Sequence, residues 1–354
     1  MNKEIREIAG RLKNFKLEKE VRIMEVCGTH TREFFRTGVK DMFPDGLSLV
    51  DGPGCPVCVT PNEYLDRAIE IGKKYSAVLA TFGDMIKVPS SYTSLAKEKA
   101  EGMQIEICYS PTDALNIAEE QPGKEIIFLS LGFETTAPAE AVTVKQAKSR
   151  NIKNFSLLCG NKITIPAVKA MLEAGEAKID GFILPGHVSA ITGADAWKFI
   201  PDEYSKPCVV AGFEDHDLVK ATITILDLVL KNKCVVSNEY TRAVKNSGNV
   251  KAQEIMHEVF EKIDSSWRGI GNIPESGLAL RDEYADFDAE KKYPVDVPPS
   301  KEHPGCRCGE LLRGLISPEE CPLFGKACLP EHAVGPCMVS SEGPCSAYYL
   351  YGGR

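Results

Sequence analysis

The chain has 354 residues, 26% charged and 43% hydrophobic, with 29 Gly and 22 Pro, which excludes collagen-like, low-complexity and mainly disordered classes and leaves room for two or three domains. Lys and Arg number 42 against 50 Asp and Glu, a net charge of -8, so the chain lacks the basic footprint of a nucleic-acid binder. Small molecules and proteins are the expected partners. No apolar run reaches the roughly 18 residues that span a bilayer, and of 13 cysteines six crowd between Cys306 and Cys345.

Met1 to Glu20 mixes Lys, Arg and Glu with Ile5, Ile8, Leu12 and Phe15, the pattern of an amphipathic helix rather than a secretory signal, which predicts a cytoplasmic location. In that compartment thiols stay reduced, so clustered cysteines point to metal binding or redox chemistry rather than a static disulfide framework. From about residue 21 to 230, β-branched runs alternate with helical patterns, the signature of βα units around parallel sheets. Strands are predicted at Val21–Val26, Leu47–Val50, Ala77–Phe82, Ile105–Cys108, Ile126–Leu131, Phe155–Leu158, Phe182–Leu184 and Cys208–Val210. A break at Glu119-Glu120-Gln121-Pro122-Gly123 divides them four and four. The predicted fold is therefore α/β, with parallel-sheet domains over residues 1–120 and 121–265, the second closed by a helix-rich stretch from Asp215 to Asp264. Gly132-Phe133-Glu134 and Gly212-Phe213-Glu214 each follow a strand and suggest a weak internal repeat. Residues 266–354 then form a connector, stiffened by Tyr293-Pro294-Val295-Asp296-Val297-Pro298-Pro299, and a small Cys-rich domain with too little periodicity to bury a core unaided.

Three cysteine groups carry the chemistry. Cys27 follows the first strand in Cys27-Gly28-Thr29-His30, at a carboxyl edge where α/β sheets place binding crevices. His30 is positioned to deprotonate Cys27 or share a metal with it, a thiolate nucleophile and a buried thiol being the other readings. Cys55 and Cys58 form a C-x-x-C in Gly52-Pro53-Gly54-Cys55-Pro56-Val57-Cys58, ahead of a helix predicted to start at Thr60-Pro61-Asn62-Glu63, whose dipole favours a thiolate. A redox dithiol, half of a zinc site and two packed thiols all satisfy that spacing. In the tail, Cys306-Arg307-Cys308, Cys321, Cys328, Cys337 and Cys345 offer six thiolates, more than one tetrahedral metal needs. Four of them suffice for a 4Fe–4S cluster with two left for thiol redox chemistry; structural zinc and plain disulfides are the alternatives. His187, in Leu184-Pro185-Gly186-His187, together with Asp84 and Glu134, is a cleft candidate. Neither the Rossmann nor the P-loop glycine fingerprint is present, so no nucleotide site is predicted.

Together, Cys27-Gly28-Thr29-His30, the Gly52–Cys58 segment, Leu184-Pro185-Gly186-His187-Val188-Ser189 and the six-Cys tail resemble the HypD family of hydrogenase maturation factors over nearly the whole chain. The resemblance implies two α/β domains, a third domain holding a 4Fe–4S cluster, and a role in assembling the Fe(CN)2CO unit of nickel–iron hydrogenases with the partners HypC and HypE. It implies Cys27 as the ligand of the transient iron, shared with a HypC cysteine, with His30 beside it. It further implies Cys55 and Cys58 as a redox dithiol, Cys306, Cys321, Cys328 and Cys345 as cluster ligands, and Cys308 with Cys337 as a second exchangeable pair. Arg32 stands where some members have a second His, so that His's role does not transfer. A free-standing iron–sulfur thiol–disulfide oxidoreductase and a zinc-stabilised interaction scaffold are the competing functional readings. Cys108, Cys159, Cys208 and Cys234 remain without a role.

Overall fold

The computed structural model describes residues 10–352. Residues 1–9 of the expected N-terminal amphipathic helix lie outside them; of its described part, residues 10–13 are helical and fully bury Leu12, while residues 14–20, expected to continue the helix, are turn and irregular chain. All eight expected strands form, each within one residue of its expected ends: β1 Val21–Glu25, β2 Leu47–Asp51, β3 Val78–Phe82, β4 Ile105–Cys108, β5 Ile126–Ser130, β6 Phe155–Cys159, β7 Gly181–Pro185 and β8 Cys208–Ala211. Three more follow: β9 Val236–Asn238, β10 Phe260–Trp267 and β11 Gly271–Leu280.

The strands do not group as sequential halves. The chain starts one sheet with β1 and β2, builds the whole of a second in the order β4-β3-β5-β6, and returns to complete the first in the order β2-β1-β7-β8-β9. Both sheets are parallel throughout. The acidic break at Glu119–Gly123, expected to separate two sets of four strands, is the turn after the crossover helix Pro111–Glu120 that carries the chain from β4 to β5 within one sheet. Glu, Pro and Gly end a helix equally well inside a βα unit or between domains, so that signal carries no information about sheet membership. The expected helical stretch is likewise interrupted by β9 and β10, and β10 pairs antiparallel with β11.

Parallel strands bury both faces, which is why these runs are apolar without clean alternation. The outer face of the first sheet, with Val21, Ile23, Ile183 and Val209, packs on the helix Asp215–Leu230. The outer face of the second sheet, with Val78, Ile126, Phe128 and Phe155, is covered by the helices Pro111–Glu120 and Ala137–Ser149 and by the β10–β11 hairpin. The inner faces meet in one apolar core, Met24, Val50, Phe182 and Leu184 from one sheet and Leu79, Ile127, Leu129 and Leu158 from the other. Into that core the tail inserts Leu311, Leu312 and Met338 together with Cys308, Cys328, Cys337 and Cys345. The Cys-rich segment therefore shares the main core of the protein, which resolves how so unpatterned a sequence finds a folded state. The proline-rich connector is extended and pinned: Tyr75 and Lys74 donate to the Pro294 carbonyl at 3.0 and 2.8 Å, and Tyr92 to that of Pro299 at 2.7 Å.

Candidate metal and thiol redox centre

Cys27 is the last extended residue before the helix Gly28–Arg36 and sits at its N-cap. The loop carrying Cys55 and Cys58 closes over it: the Gly28 N–H donates to the Gly54 carbonyl at 2.9 Å, and a Cβ on Gly54 would lie 2.2 Å from the Cys27 nitrogen. Only glycine permits that approach. Beneath Cys27, Glu25 accepts the Cys27 N–H at 2.8 Å and the Thr31 hydroxyl, and in the strand register it lies beside Asp51. Burial, reinforced by Asp51, holds the Glu25 carboxyl well above its usual range, and burial lifts Asp51 to about 6. The Cys27 thiol is pushed up to about 12 by burial and by the charges of Glu342 and Glu25, against the backbone N–H groups of His30 and Thr29. Its resting state at neutral pH is the protonated thiol, and two acidic side chains, Glu25 and Glu342, act on it directly.

His30 turns away from this thiol. Its Nε2–H donates to the Gly212 carbonyl at 2.9 Å, its ring stacks on Phe213 at 4.6 Å, and burial lowers its pKa to about 4. The His30 ring makes no hydrogen bond with Cys27, and being neutral with Nε2 engaged it orients the helix rather than deprotonating the thiol. His187 stacks on the same Phe213 at 3.9 Å, so one phenyl ring separates the two histidines. The two repeated tripeptides serve different ends: Phe133 stacks on Trp267 and Glu134 caps Thr164, whereas Phe213 holds the histidines and Glu214 opens a helix. Glu134 is thereby removed from the cysteine site, while Asp84 acts on Glu342 from the edge of the second sheet.

Cys55 and Cys58 are joined as a disulfide and are 1% and 0% exposed. They do not precede the helix Asn62–Tyr75 directly, as expected, but belong to a separate helical turn, Pro56–Val59, with Cys55 at its N-cap and Cys58 within it; Thr60 ends that turn instead of starting the next helix. Pro56 sets the first helical φ and the Cys58 N–H donates to the Cys55 sulfur at 3.2 Å. Arg268 fastens this turn from outside, its backbone N–H reaching the Val59 carbonyl at 2.7 Å and its Nε the Thr60 carbonyl at 2.8 Å.

The tail brings its sulfurs to both cysteine loops. Thr29 donates to Glu342 at 2.5 Å, and a Cβ on Gly28 would strike the Glu342 carbonyl at 2.3 Å. The helix Pro344–Tyr351, which starts beside Cys345, packs along the Cys27 helix, with Phe35 and Tyr348 at 4.3 Å and Lys40 over both rings. The turn Pro336–Val339, which carries Cys337, packs against Pro56–Val59. Cys306, Cys308, Cys321, Cys328 and Cys345 line one small chamber. Cys308 stands at its junction with Cys337: hydrogen bonds from the Cys306, Cys337 and Cys345 thiols hold its pKa well below the usual range, the sulfurs of Cys306 and Cys308 being 3.3 Å apart. Among the described residues no group of three or more His, Cys, Asp or Glu side chains has single-metal geometry. The donor set of the chamber is soft thiols, the type that holds iron–sulfur clusters, and at Gly335 a Cβ would sit 2.6 Å from the Cys306 sulfur and 2.8 Å from the Cys308 sulfur, so only a hydrogen fits against both sulfurs there.

The structure thus gathers Cys27, the Cys55–Cys58 disulfide and the six tail cysteines, and leaves His30 with His187 on a neighbouring stack. Glu25, Asp51, Glu342 and Arg268 were not singled out in the sequence; the signal for the first two is a carboxylate ending an otherwise apolar strand just before a cysteine or glycine loop.

Residues 2–352 match the family model HypD, described as the hydrogenase formation hypA family. The chain is 42% identical over 342 residues to the hydrogenase maturation factor HypD of Azotobacter vinelandii, covering 95% of this chain and 90% of that one. Against the hydrogenase maturation factor HypD of Escherichia coli K12 the identity is 42% over 348 residues, 98% of this chain and 93% of the other. Against that of Rhodobacter capsulatus it is 43% over 342 residues, 95% and 90%. With its cysteine loops and tail packed into one centre, the chain belongs to the HypD family of hydrogenase formation proteins.

Proposed function

We propose that this protein is a hydrogenase maturation factor on which the Fe(CN)2CO unit of nickel–iron hydrogenases is assembled, with Cys27 as the ligand of the cargo iron. A cysteine of a HypC partner completes the attachment, and a HypE partner delivers cyanide as a thiocyanate-like group. The observation that carries this reading is the packing of three thiol functions into one centre: Cys27 beside Gly54, the Cys55–Cys58 disulfide, and the tail helices of Cys337 and Cys345 against both.

Cys27 binds iron by losing its proton as the cation arrives, and the incoming charge favours loss of the protons that burial holds on Glu25 and Glu342. Releasing cyanide from a thiocyanate sulfur takes two electrons, and the reduced pair Cys55 and Cys58 holds two: the carrier sulfur leaves as thiol, cyanide leaves for the iron, and the disulfide seen here is the product. Cys337, on the turn packed against Pro56–Val59, and Cys308 form the second pair that returns those electrons by thiol–disulfide exchange. Cys306, Cys321, Cys328 and Cys345 would hold a 4Fe–4S cluster, which when bound supplies electrons singly. Both sulfurs of the Cys55–Cys58 disulfide are buried, which disfavours a free-standing oxidoreductase acting on large protein disulfides. The test is replacement: Cys55→Ala or Cys58→Ala leaves the iron and sulfide content of the purified protein unchanged and abolishes hydrogenase maturation in cells, whereas unimpaired maturation removes the dithiol from the mechanism.

A further inference from the structure

A second cavity, of about 290 Å³, lies behind the cysteine chamber, and Cys306, Cys308 and Gly335 border both spaces. The rest of its lining is mixed, with Asn62, Ser90, Arg268, Lys301, Glu302 and His303 as its main polar side chains. Arg268 is 6% exposed, and its hydrogen bonds run to the neutral oxygens of Thr60 and Asn62. Its ion-pair partner is the half-exposed Glu302, which also lines the cavity, at the long distance of 3.9 Å, so the buried positive charge keeps only a weak, water-facing counter-charge. Lys301, exposed at the rim over the Tyr92 ring, adds a second cation. One side of the cavity carries Arg268 and Lys301 against the single carboxylate of Glu302, and the other carries the Cys306 and Cys308 sulfurs. At the small end of ligand pockets, the cavity admits a small molecule.

The geometry points to this cavity as the docking site of a small anionic thiol that reduces the Cys308–Cys337 pair. The inference rests on the pairing of Cys308 with Cys337 set out above. Of that pair only Cys308 borders the cavity, while Cys337 is fully buried on the turn facing Pro56–Val59, so reduction has a direction: from the cavity to Cys308, then Cys337, then Cys55–Cys58. The thiolate attacks the Cys308 sulfur of the Cys308–Cys337 disulfide, forming a mixed disulfide at Cys308, and Cys337 leaves as a thiolate that takes up a proton. A second thiolate attacks the docked sulfur, freeing Cys308 and releasing the small-molecule disulfide. Two thiols are oxidised and one protein disulfide is reduced. Arg268 and Lys301 hold the carboxylate of the incoming thiol by charge-assisted contacts.

The test uses the full chain, purified anaerobically and then oxidised, treated with glutathione or with neutral 2-mercaptoethanol at equal thiolate concentration, and followed by differential alkylation and mass spectrometry of the Cys308 and Cys337 peptides. Glutathione is expected to reduce the pair about tenfold faster, the effect of one charge-assisted contact. Lys301→Glu, at an exposed position, should bring the two rates towards parity, and Cys337→Ser treated with oxidised glutathione, which exchanges with the Cys308 thiolate and releases one glutathione thiolate, should keep the mixed disulfide on Cys308. If the cross-link forms but both thiols reduce it equally, or if trapping falls on another cysteine, the docking site is wrong while the pairing stands. If no Cys308–Cys337 cross-link forms on oxidation, the pairing itself fails and the docking inference with it.

Discussion

A single methyl group at position 335 is enough to close the cysteine chamber. In Gly335→Ala the new Cβ would lie 2.6 Å from the Cys306 sulfur and 2.8 Å from that of Cys308, where non-bonded heavy atoms prefer roughly 3.5–4.0 Å. Both sulfurs must retreat by about 1 Å, several times the ~0.2 Å latitude of metal–ligand distances. The backbone offers no other explanation, since Gly335 has φ -123 and ψ 156, an extended conformation open to alanine. Overpacking of this kind costs about 1–3 kcal/mol and falls on the tail, where the clash is. The assay is iron and acid-labile sulfide per chain on anaerobically purified protein, with far-ultraviolet circular dichroism to follow the two sheets. Gly335→Ala should lose most of its iron and sulfide with an unchanged dichroism spectrum, while Gly123→Ala, where a Cβ meets nothing within 4 Å, should match the parent. Parental iron and sulfide in Gly335→Ala would show that the chamber bordered by Cys306 is not the cluster site.

Three further outcomes follow from the electrostatics. With its pKa lifted from 9.0 to about 12, Cys27 has a roughly thousandfold smaller thiolate fraction at pH 8 than an ordinary cysteine, so iodoacetamide should label it correspondingly slowly and Glu342→Gln should accelerate labelling; labelling of Cys27 at the rate of free cysteine would contradict the burial argument. Glu140 is fully buried against Ser130, and burial raises its carboxyl from 4.5 to about 7. The folded state therefore prefers its protonated form, a contribution complete below pH 4.5 and lost as pH rises through 7. Glu140→Gln should stabilise the protein at pH 8 by up to about 3 kcal/mol and not at pH 4.5, as measured by denaturant unfolding; a variant no more stable than the parent at pH 8 refutes this. His30, with its pKa near 4 and Nε2 donating to Gly212, should show no ring titration by NMR between pH 5 and 8, and a midpoint near 6.5 would place it outside its buried stack.

The strands were legible because parallel β-runs are predominantly apolar, and the Cys27 and Cys55–Cys58 loops because each directly follows a strand. Sheet membership was not. The decision for β7 to pair with β1, so that Phe182 stands beside Met24, is a long-range one, made by the shared core and invisible in the local pattern of residues 119–123. The β10–β11 hairpin escaped for a local reason. Phe260-Glu261-Lys262-Ile263-Asp264-Ser265-Ser266-Trp267 has only its ends buried, and Gly271 and Pro274 in β11 read as breakers. The cysteine groups were evident as three separate motifs. Their convergence depends on Gly28, Gly54 and Gly335 allowing backbones and sulfurs to approach where a Cβ would collide, and the turning of His30 towards Gly212 and Phe213 rather than Cys27 is a contact made across 182 residues of chain that no local pattern shows.

Infrared spectroscopy of the protein in complex with its HypC and HypE partners tests the assembly of the iron unit on Cys27 most directly. The parent complex should show bound cyanide and carbon monoxide stretching bands, and Cys27→Ala should show none while retaining its tail iron and sulfide. Cyanide and carbon monoxide bands of parental intensity in Cys27→Ala would mean that the iron unit is built elsewhere.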